Sequence, residues 1–155
     1  DGLPVGKELG QYYLSDAGGQ GDADGSIILV VATDAPLSDR NLTRLASRAL
    51  FAIARTGSPA SNGSGDYALA FSTAEAVRRT PERRESVSLV ANLPNNKVSP
   101  LFEAAMEASE EAIYNALTEG VTTVGFKGVI EALPLDKVID IIKQSGRGTV
   151  SPDKQ

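Results

Sequence analysis

Apolar and polar positions change rhythm several times along the chain, and each change predicts an element. Residues 1–14, DGLPVGKELGQYYL, hold no sustained period, and Pro4 and the glycines break them up into a loop with one marginal strand. Residues 15–25, SDAGGQGDADG, contain four glycines, three aspartates and nothing larger than Gln20. No burial there offsets the entropy of ordering, so the segment is expected to be a flexible, solvated linker. At Ser26 the pattern turns over. Residues 27–33 form a continuous β-branched and apolar run, which predicts a central strand buried on both faces. Asp34, Pro36 and Ser38 then mark a turn and a helix N-cap, and Leu42, Leu45, Ala46, Ala49 and Ile53 recur at helical spacing up to Gly57. Arg40, Arg44, Arg48 and Arg55 mostly lie off that stripe and are expected to form its solvated face.

Residues 57–66, GSPASNGSGD, are a loop by composition, and residues 67–71 a second strand. A charged, irregular stretch at 73–85 leads to an alternating segment at 86–93 that predicts a third strand. Ser99-Pro100 supplies an N-cap followed by proline at the first helical position. The long helix it opens carries Leu101, Ala105, Ala108, Ala112, Ile113, Ala116 and Leu117 on one face and ends near Gly120. Glu103, Glu107, Glu110 and Glu111 form its wet edge, the early ones favoured by the helix dipole. Residues 134–144 predict a final helix with Leu135, Val138, Ile139 and Ile142 buried, and the tail after Ser145 should fray. Strands and long helices mix without a βαβ rhythm of equal units and without internal repeats. That predicts an α+β layered fold over a doubly wound sheet.

Composition narrows the chemistry. A chain of 155 residues is expected to form one domain that buries roughly 68–70% of its unfolded surface. His 0 and Cys 0 remove the usual donors for zinc, iron and copper, so no metal and no cofactor are expected. The same zeros exclude a Ser-His-Asp triad or Cys-His pair within the chain. A net charge of −5 gives no basic footprint for nucleic acid or an anionic membrane. The longest apolar runs, 27–32 and 49–54, fall far short of the ~20 residues a membrane helix needs. No signal-peptide pattern is visible; cytoplasm is the default location, with the periplasm left open.

Any nucleophile must therefore be activated by lysine, a carboxylate or a free α-amine, and of these the amine alone, at about 7.7–8.0, has a reference pKa near neutrality. The junction Gly25-Ser26 fits that chemistry. A flexible arm ends there at a hydroxyl residue that begins a stiff strand. Breaking the bond would leave Ser26 with both a hydroxyl and an α-amine, a nucleophile and its base on one residue. Ser26 Oγ could itself attack the Gly25 carbonyl, and glycine tolerates the strained backbone such an attack requires. The same dipeptide also reads as a simple turn into a strand. The loop Ser61-Asn62-Gly63-Ser64-Gly65-Asp66 concentrates hydroxyl, amide, carboxylate and backbone N–H groups that could orient a nucleophile, or equally close an Asx-type turn. Capping and turn formation account for Asp34.

The stretch GSIILVVATDAPL, followed by a helix and then ARTGSPASNGSGDYALAFST, closely resembles the β-aminopeptidase family, also known as the L-aminopeptidase/D-Ala-esterase/amidase family. LFEAAMEASEEAIYNAL and IEALPLDKVIDII resemble its C-terminal helices, and LPVGKEL the tail of its larger subunit. The resemblance implies a precursor that cuts itself at Gly25-Ser26. Residues 1–25 would then be the tail of the larger subunit with the processing linker, and 26–155 the small, nucleophile-bearing subunit. It implies Ser26 as nucleophile, with Ser64 and Asp66 orienting it. The implied fold is a four-layer αββα sandwich, like the N-terminal-nucleophile (Ntn) hydrolases but with different connectivity. The implied activity is release of N-terminal residues (β-amino acids, D-alanine or small L-residues) from peptides, amides or esters through an acyl-enzyme. Implied partners are the larger subunit, which carries the oxyanion-hole amide, and further copies in a homo-oligomer of heterodimers. Two alternatives remain: an acyltransferase of the ornithine-acetyltransferase type, whose threonine nucleophile Ser26 argues against, and an unprocessed homologue serving as scaffold or assembly partner.

Overall fold

The computed structural model describes residues 2–10 and 25–146. The linker expected at 15–25 lies outside them except for Gly25, as does the tail after Gly146. In chain order the elements are α1 (Val5–Glu8), β1 (Ile28–Thr33), α2 (Asp39–Arg55), β2 (Tyr67–Ser72), α3 (Pro81–Arg84), α4 (Ser99–Thr118), β3 (Thr123–Gly125), β4 (Gly128–Ile130) and α5 (Leu135–Gln144). The mixture is α+β. Two compact units are present, one of residues 22–113 and one of residues 1–21 with 114–155.

In the larger unit β1 and β2 pair in parallel, with Ile28 opposite Tyr67 and Thr33 opposite Ser72. Parallel neighbours need a crossover, and α2 provides it, so one βαβ unit exists although the sequence pattern shows no such rhythm. The stripe predicted on α2 is the buried one. Leu45, Ala46, Ala49, Ala52 and Ile53 are buried, and Ala49, Ala52 and Ile53 pack on Leu29 of β1 and Ile113 of α4. Leu37, Leu45, Val98 and Ala105 form a second cluster beside it. Ser38 does occupy the N-cap position of α2, but its side chain makes no capping bond. The helix ends where Gly57 turns at φ +96°, a conformation that glycine adopts without Cβ strain.

The arginine face is not simply solvated. Arg44 and Arg48 lie over the Phe102 ring at 4.9 and 4.5 Å, and Arg44 also donates to Asn41 and Asn95. Arg55 Nε meets Glu110 at 2.7 Å. Guanidinium groups whose stems cover apolar surface commonly join helices in this way, and here they tie α2 to α4.

Three further expectations change for one physical reason: an apolar residue is buried only where something covers it. First, β1 is not buried on both faces. Leu29 faces α2, whereas Ile28 and Val30 are 66% and 59% exposed, and Tyr67, Leu69 and Phe71 on β2 share their open face. With two strands in the sheet, β1 is also an edge. Second, residues 86–93 form no strand. Val87 and Leu89 stand fully exposed, and no backbone among the described residues offers them a ladder; Leu93 N–H donates to Pro36 O instead, at 2.8 Å. Third, α4 buries Ala105, Ser109 and Ile113, while Ala108, Ala112, Ala116 and Leu117 are not buried. Its first turn is closed by the Val98 carbonyl, which accepts from Leu101 and Phe102, one residue before the predicted cap.

In the smaller unit α1 is a single turn closed by the Pro4 carbonyl, where a loop was expected, and residues 11–14 of the segment expected to hold a marginal strand lie outside the described residues. The helix α5 falls where predicted, and α1 lies against it, but α5 buries none of its apolar residues. The short hairpin β3–β4 has no counterpart in the sequence pattern. Its apolar residues Val124, Val129 and Ile130 are exposed, so no alternation of burial announces it.

Candidate active site

The site grows out of the β1–β2 register. Within the sheet each residue of β1 faces the residue 39 positions later, and the ladder's last backbone bond before the strands open is Tyr67 N–H to Ile27 O, at 3.0 Å. Upstream of that point side chains continue the alignment. Asp66 Oδ1 accepts the Ile27 N–H at 3.1 Å, Gly65 N–H donates to Ser26 Oγ at 3.0 Å, and Ser64 Oγ donates to Gly25 O at 2.7 Å. All three bonds join residues 39 apart. Residues 64, 65 and 66 thus address residues 25, 26 and 27 one to one.

Ser64 is itself held in two directions. Its N–H donates to Ser61 O at 2.9 Å, which closes the loop, and its Oγ lies 2.8 and 2.9 Å from the two carboxylate oxygens of Asp66. A hydroxyl carries one proton, so Ser64 can donate either to Asp66 or to the Gly25 carbonyl at any instant. The hydroxyl is a switchable donor between a carboxylate and the acyl group of the Gly25-Ser26 bond. Ser64 and Asp66 are half-buried, whereas Gly25, Ser26 and Gly65 are exposed. An accessible hydroxyl beside sheltered orienting groups is the arrangement that nucleophilic chemistry needs.

Every residue singled out in the sequence for this chemistry, Gly25, Ser26, Ser64 and Asp66, is brought to one place. The sequence offers the backbone N–H groups of the 61–66 loop as a set without saying which one acts, and the N–H of Ile27 escapes it altogether, because a backbone donor has no residue-type signature. The equal spacing of 39 exposes them once the register is known. Asp34 stands apart at the other end of β1, where the Thr33 hydroxyl accepts from Ala35 N–H. Among the described residues no group of three or more His, Cys, Asp or Glu could hold a metal ion, and no helix is long and apolar enough to cross a membrane.

The register makes a prediction of its own. One glycine inserted between Asp66 and Tyr67 would move Ser64, Gly65 and Asp66 one step off their partners, whereas one inserted between Ser58 and Pro59 would lengthen the loop and leave the alignment intact. The first insertion should abolish any cleavage at Gly25-Ser26 and the second should leave it, as read by intact mass.

Residues 1–131 match the family described as peptidase family S58. The chain belongs to that family. Among curated proteins this S58 chain is 42% identical over 157 residues to the beta-peptidyl aminopeptidase BapA of Sphingosinicella microcystinivorans, covering 94% of the chain and 39% of that protein. Among solved structures it is similar to the PH0078 protein from Pyrococcus horikoshii OT3, with TM-score 0.76 and 44% identity over 94% of the chain and 38% of that structure. It is also similar to the L-aminopeptidase D-Ala-esterase/amidase from Ochrobactrum anthropi, with TM-score 0.75 and 32% identity over 96% of the chain and 39% of that structure. The latter is described as a prototype for the serine aminopeptidases and a new variant among the Ntn hydrolase fold. The S58 chain spans about two-fifths of the length of these proteins.

Proposed function

We propose that this chain carries the nucleophile of a self-processing serine aminopeptidase, and that Ser26 becomes that nucleophile when the Gly25-Ser26 bond is cut. The observation that carries the proposal is the one-to-one alignment of residues 64–66 with residues 25–27 across the bond in question. Ser26 Oγ attacks the Gly25 carbonyl carbon while the Ser64 hydroxyl, 2.7 Å from the carbonyl oxygen, stabilises the charge that develops there. The C–N bond breaks, and the Ser26 nitrogen takes the proton that left Oγ. Water then hydrolyses the resulting ester. Gly25 is left with a carboxylate and Ser26 with a free amine.

In turnover the same oxygen attacks the carbonyl of a substrate's N-terminal residue, with the α-amine of Ser26 as general base. The amine delivers the proton to the leaving amine. Water, deprotonated in turn by the α-amine, releases the acyl group as a free amino acid. Substrates are peptides, amides or esters with a β-amino, D-alanyl or small L-residue at the N-terminus, as the names of the relatives suggest.

Residues 1–25 are the end of the larger subunit and 26–155 belong to the small one, within a four-layer αββα sandwich. The open face of Ile28, Val30, Tyr67, Leu69 and Phe71 supports this architecture, since a sheet with one apolar face uncovered lacks a layer. The rest of the precursor supplies that layer and the remaining oxyanion donors, and the heterodimers assemble as a homo-oligomer. Denatured intact mass of the full-length protein tests the proposal directly. Two masses dividing at Gly25-Ser26 are expected, and a single uncut mass in a preparation that hydrolyses amides would overturn it.

A further inference from the structure

We infer that the backbone N–H of Gly65 is a catalytic group in its own right, the donor that fixes Ser26 Oγ and stabilises the charge on it whenever that oxygen gains or leaves an acyl group. The inference rests on Ser26 being the nucleophile and goes further by assigning a role to an atom outside the Ser64 and Asp66 side chains.

Three observations carry it. The amide nitrogen lies 3.0 Å from Ser26 Oγ. Its position is set by bonds on either side, since Ser64 is anchored to Ser61 O and Gly25 O while Asp66 holds the Ile27 N–H. The donor is therefore preorganised by the sheet register rather than by a mobile side chain. Finally, a Cβ built at Gly65 would make only ordinary contacts, 3.4 Å from Ser26 Oγ and 3.9 Å from the Tyr67 ring, so at this position the amide and not a side chain addresses the oxygen.

The chemistry follows from counting what a serine oxygen can do. Oγ has two lone pairs and one proton. With one lone pair held by the Gly65 N–H, the other is left to face an acyl carbon and the proton to leave toward a base. As the proton departs, negative charge grows on Oγ and the N–H bond becomes charge-assisted, about twice as strong as a neutral one. The same holds when the acyl-enzyme breaks down, because Oγ then leaves with an electron pair. One donor thus serves both the formation and the hydrolysis of the ester, and self-cleavage by the same logic.

The test replaces Gly65 by glycolic acid in the full-length precursor made by cell-free translation, which exchanges the N–H for an ester oxygen and changes no side chain. The same exchange at Gly57, whose N–H bonds Ala54 O at the end of α2 away from Ser26, is the control. The Gly65 ester is expected to cut itself roughly tenfold more slowly than the parent, the order of one lost hydrogen bond. In the cut enzyme it should lower kcat by a similar factor with KM unchanged. The Gly57 ester should stay within about threefold of the parent. A Gly65 ester that cuts and turns over at the parent rate would overturn the inference, as would the Gly57 ester losing as much as the Gly65 ester. Failure of the underlying assignment looks different, since the parent precursor itself would then not be cut at Gly25-Ser26.

Discussion

Ser26→Ala is expected to leave the full-length precursor as one uncut mass and to lower amide hydrolysis below about 10⁻⁴ of the parent rate, the order seen when a hydrolase loses its nucleophile. In the proposed mechanism Oγ is the attacking atom in both reactions, so one substitution should remove both. No other residue can stand in. Ser64 also brings a hydroxyl to the bond, but its Oγ already lies 2.7 Å from the Gly25 carbonyl oxygen, as a donor to the oxygen rather than an attacker of the carbon. The chain holds no histidine or cysteine to take over. Alanine also removes little from the fold. Ser26 is exposed, and the Gly65 N–H that bonds its hydroxyl is open to water once the hydroxyl is gone. Ser26→Thr keeps both hydroxyl and amine and should still cut itself. Normal cleavage in Ser26→Ala would refute the nucleophile assignment, and a cut but inactive Ser26→Thr would separate processing from turnover.

The parts of this molecule that can be read from the sequence are those whose residues find their partners within the chain. The stripe on α2 is legible because Leu45, Ala49 and Ile53 meet β1 and α4. The strands β1 and β2 are legible as runs of apolar residues between a glycine-rich arm and a loop. Burial is not. A run such as residues 27–33 predicts burial on both faces, and it does not say what would cover them. The open face of Ile28 and Val30, the uncovered Val87 and Leu89, and the exposed side of α4 are all apolar surface in a chain that spans two-fifths of its relatives. The strand expected at 86–93 fails in the same way, since a strand is defined by a neighbour.

The site shows the opposite balance. Its side chains are named by chemistry and resemblance, and of its geometry only the nearness of Ser64 and Asp66 to Ser26 is implied, by the resemblance. Nothing in the sequence says that residues 25 and 64 stand side by side. That follows from the combined length of β1, the turn after it, α2 and the loop before β2, which together set the separation of 39 residues. Parallel pairing then does the rest, because strands running in the same direction carry consecutive residues past one another in step. An antiparallel pair would have reversed the order, placing residue 66 against 25 when 64 faced 27.

That ordering gives the second large effect. Asp66→Ala should lower turnover by on the order of 10² or more, comparable to losing a general-base contribution. The carboxylate bonds the N–H of Ile27, the residue after Ser26, at 3.1 Å, so in the proposed cut enzyme its charge would lie beside the N-terminus and favour the ammonium formed as the α-amine takes a proton. It also competes for the Ser64 proton, at 2.8 and 2.9 Å. Asp66→Asn separates these two duties. An asparagine keeps an oxygen for the Ile27 N–H and turns an NH₂ donor toward Ser64 Oγ, which directs the Ser64 proton to the Gly25 carbonyl. Self-cleavage in Asp66→Asn should therefore stay within about tenfold of the parent, while turnover, which needs the charge, falls on the order of 10². Precursor decay by intact mass and amide hydrolysis by the cut enzyme give the two rates. Equal losses in both would mean that Asp66 acts through the ladder alone, and parent rates in both Asp66→Ala and Ser64→Ala would return the loop to a turn that merely closes the crossover.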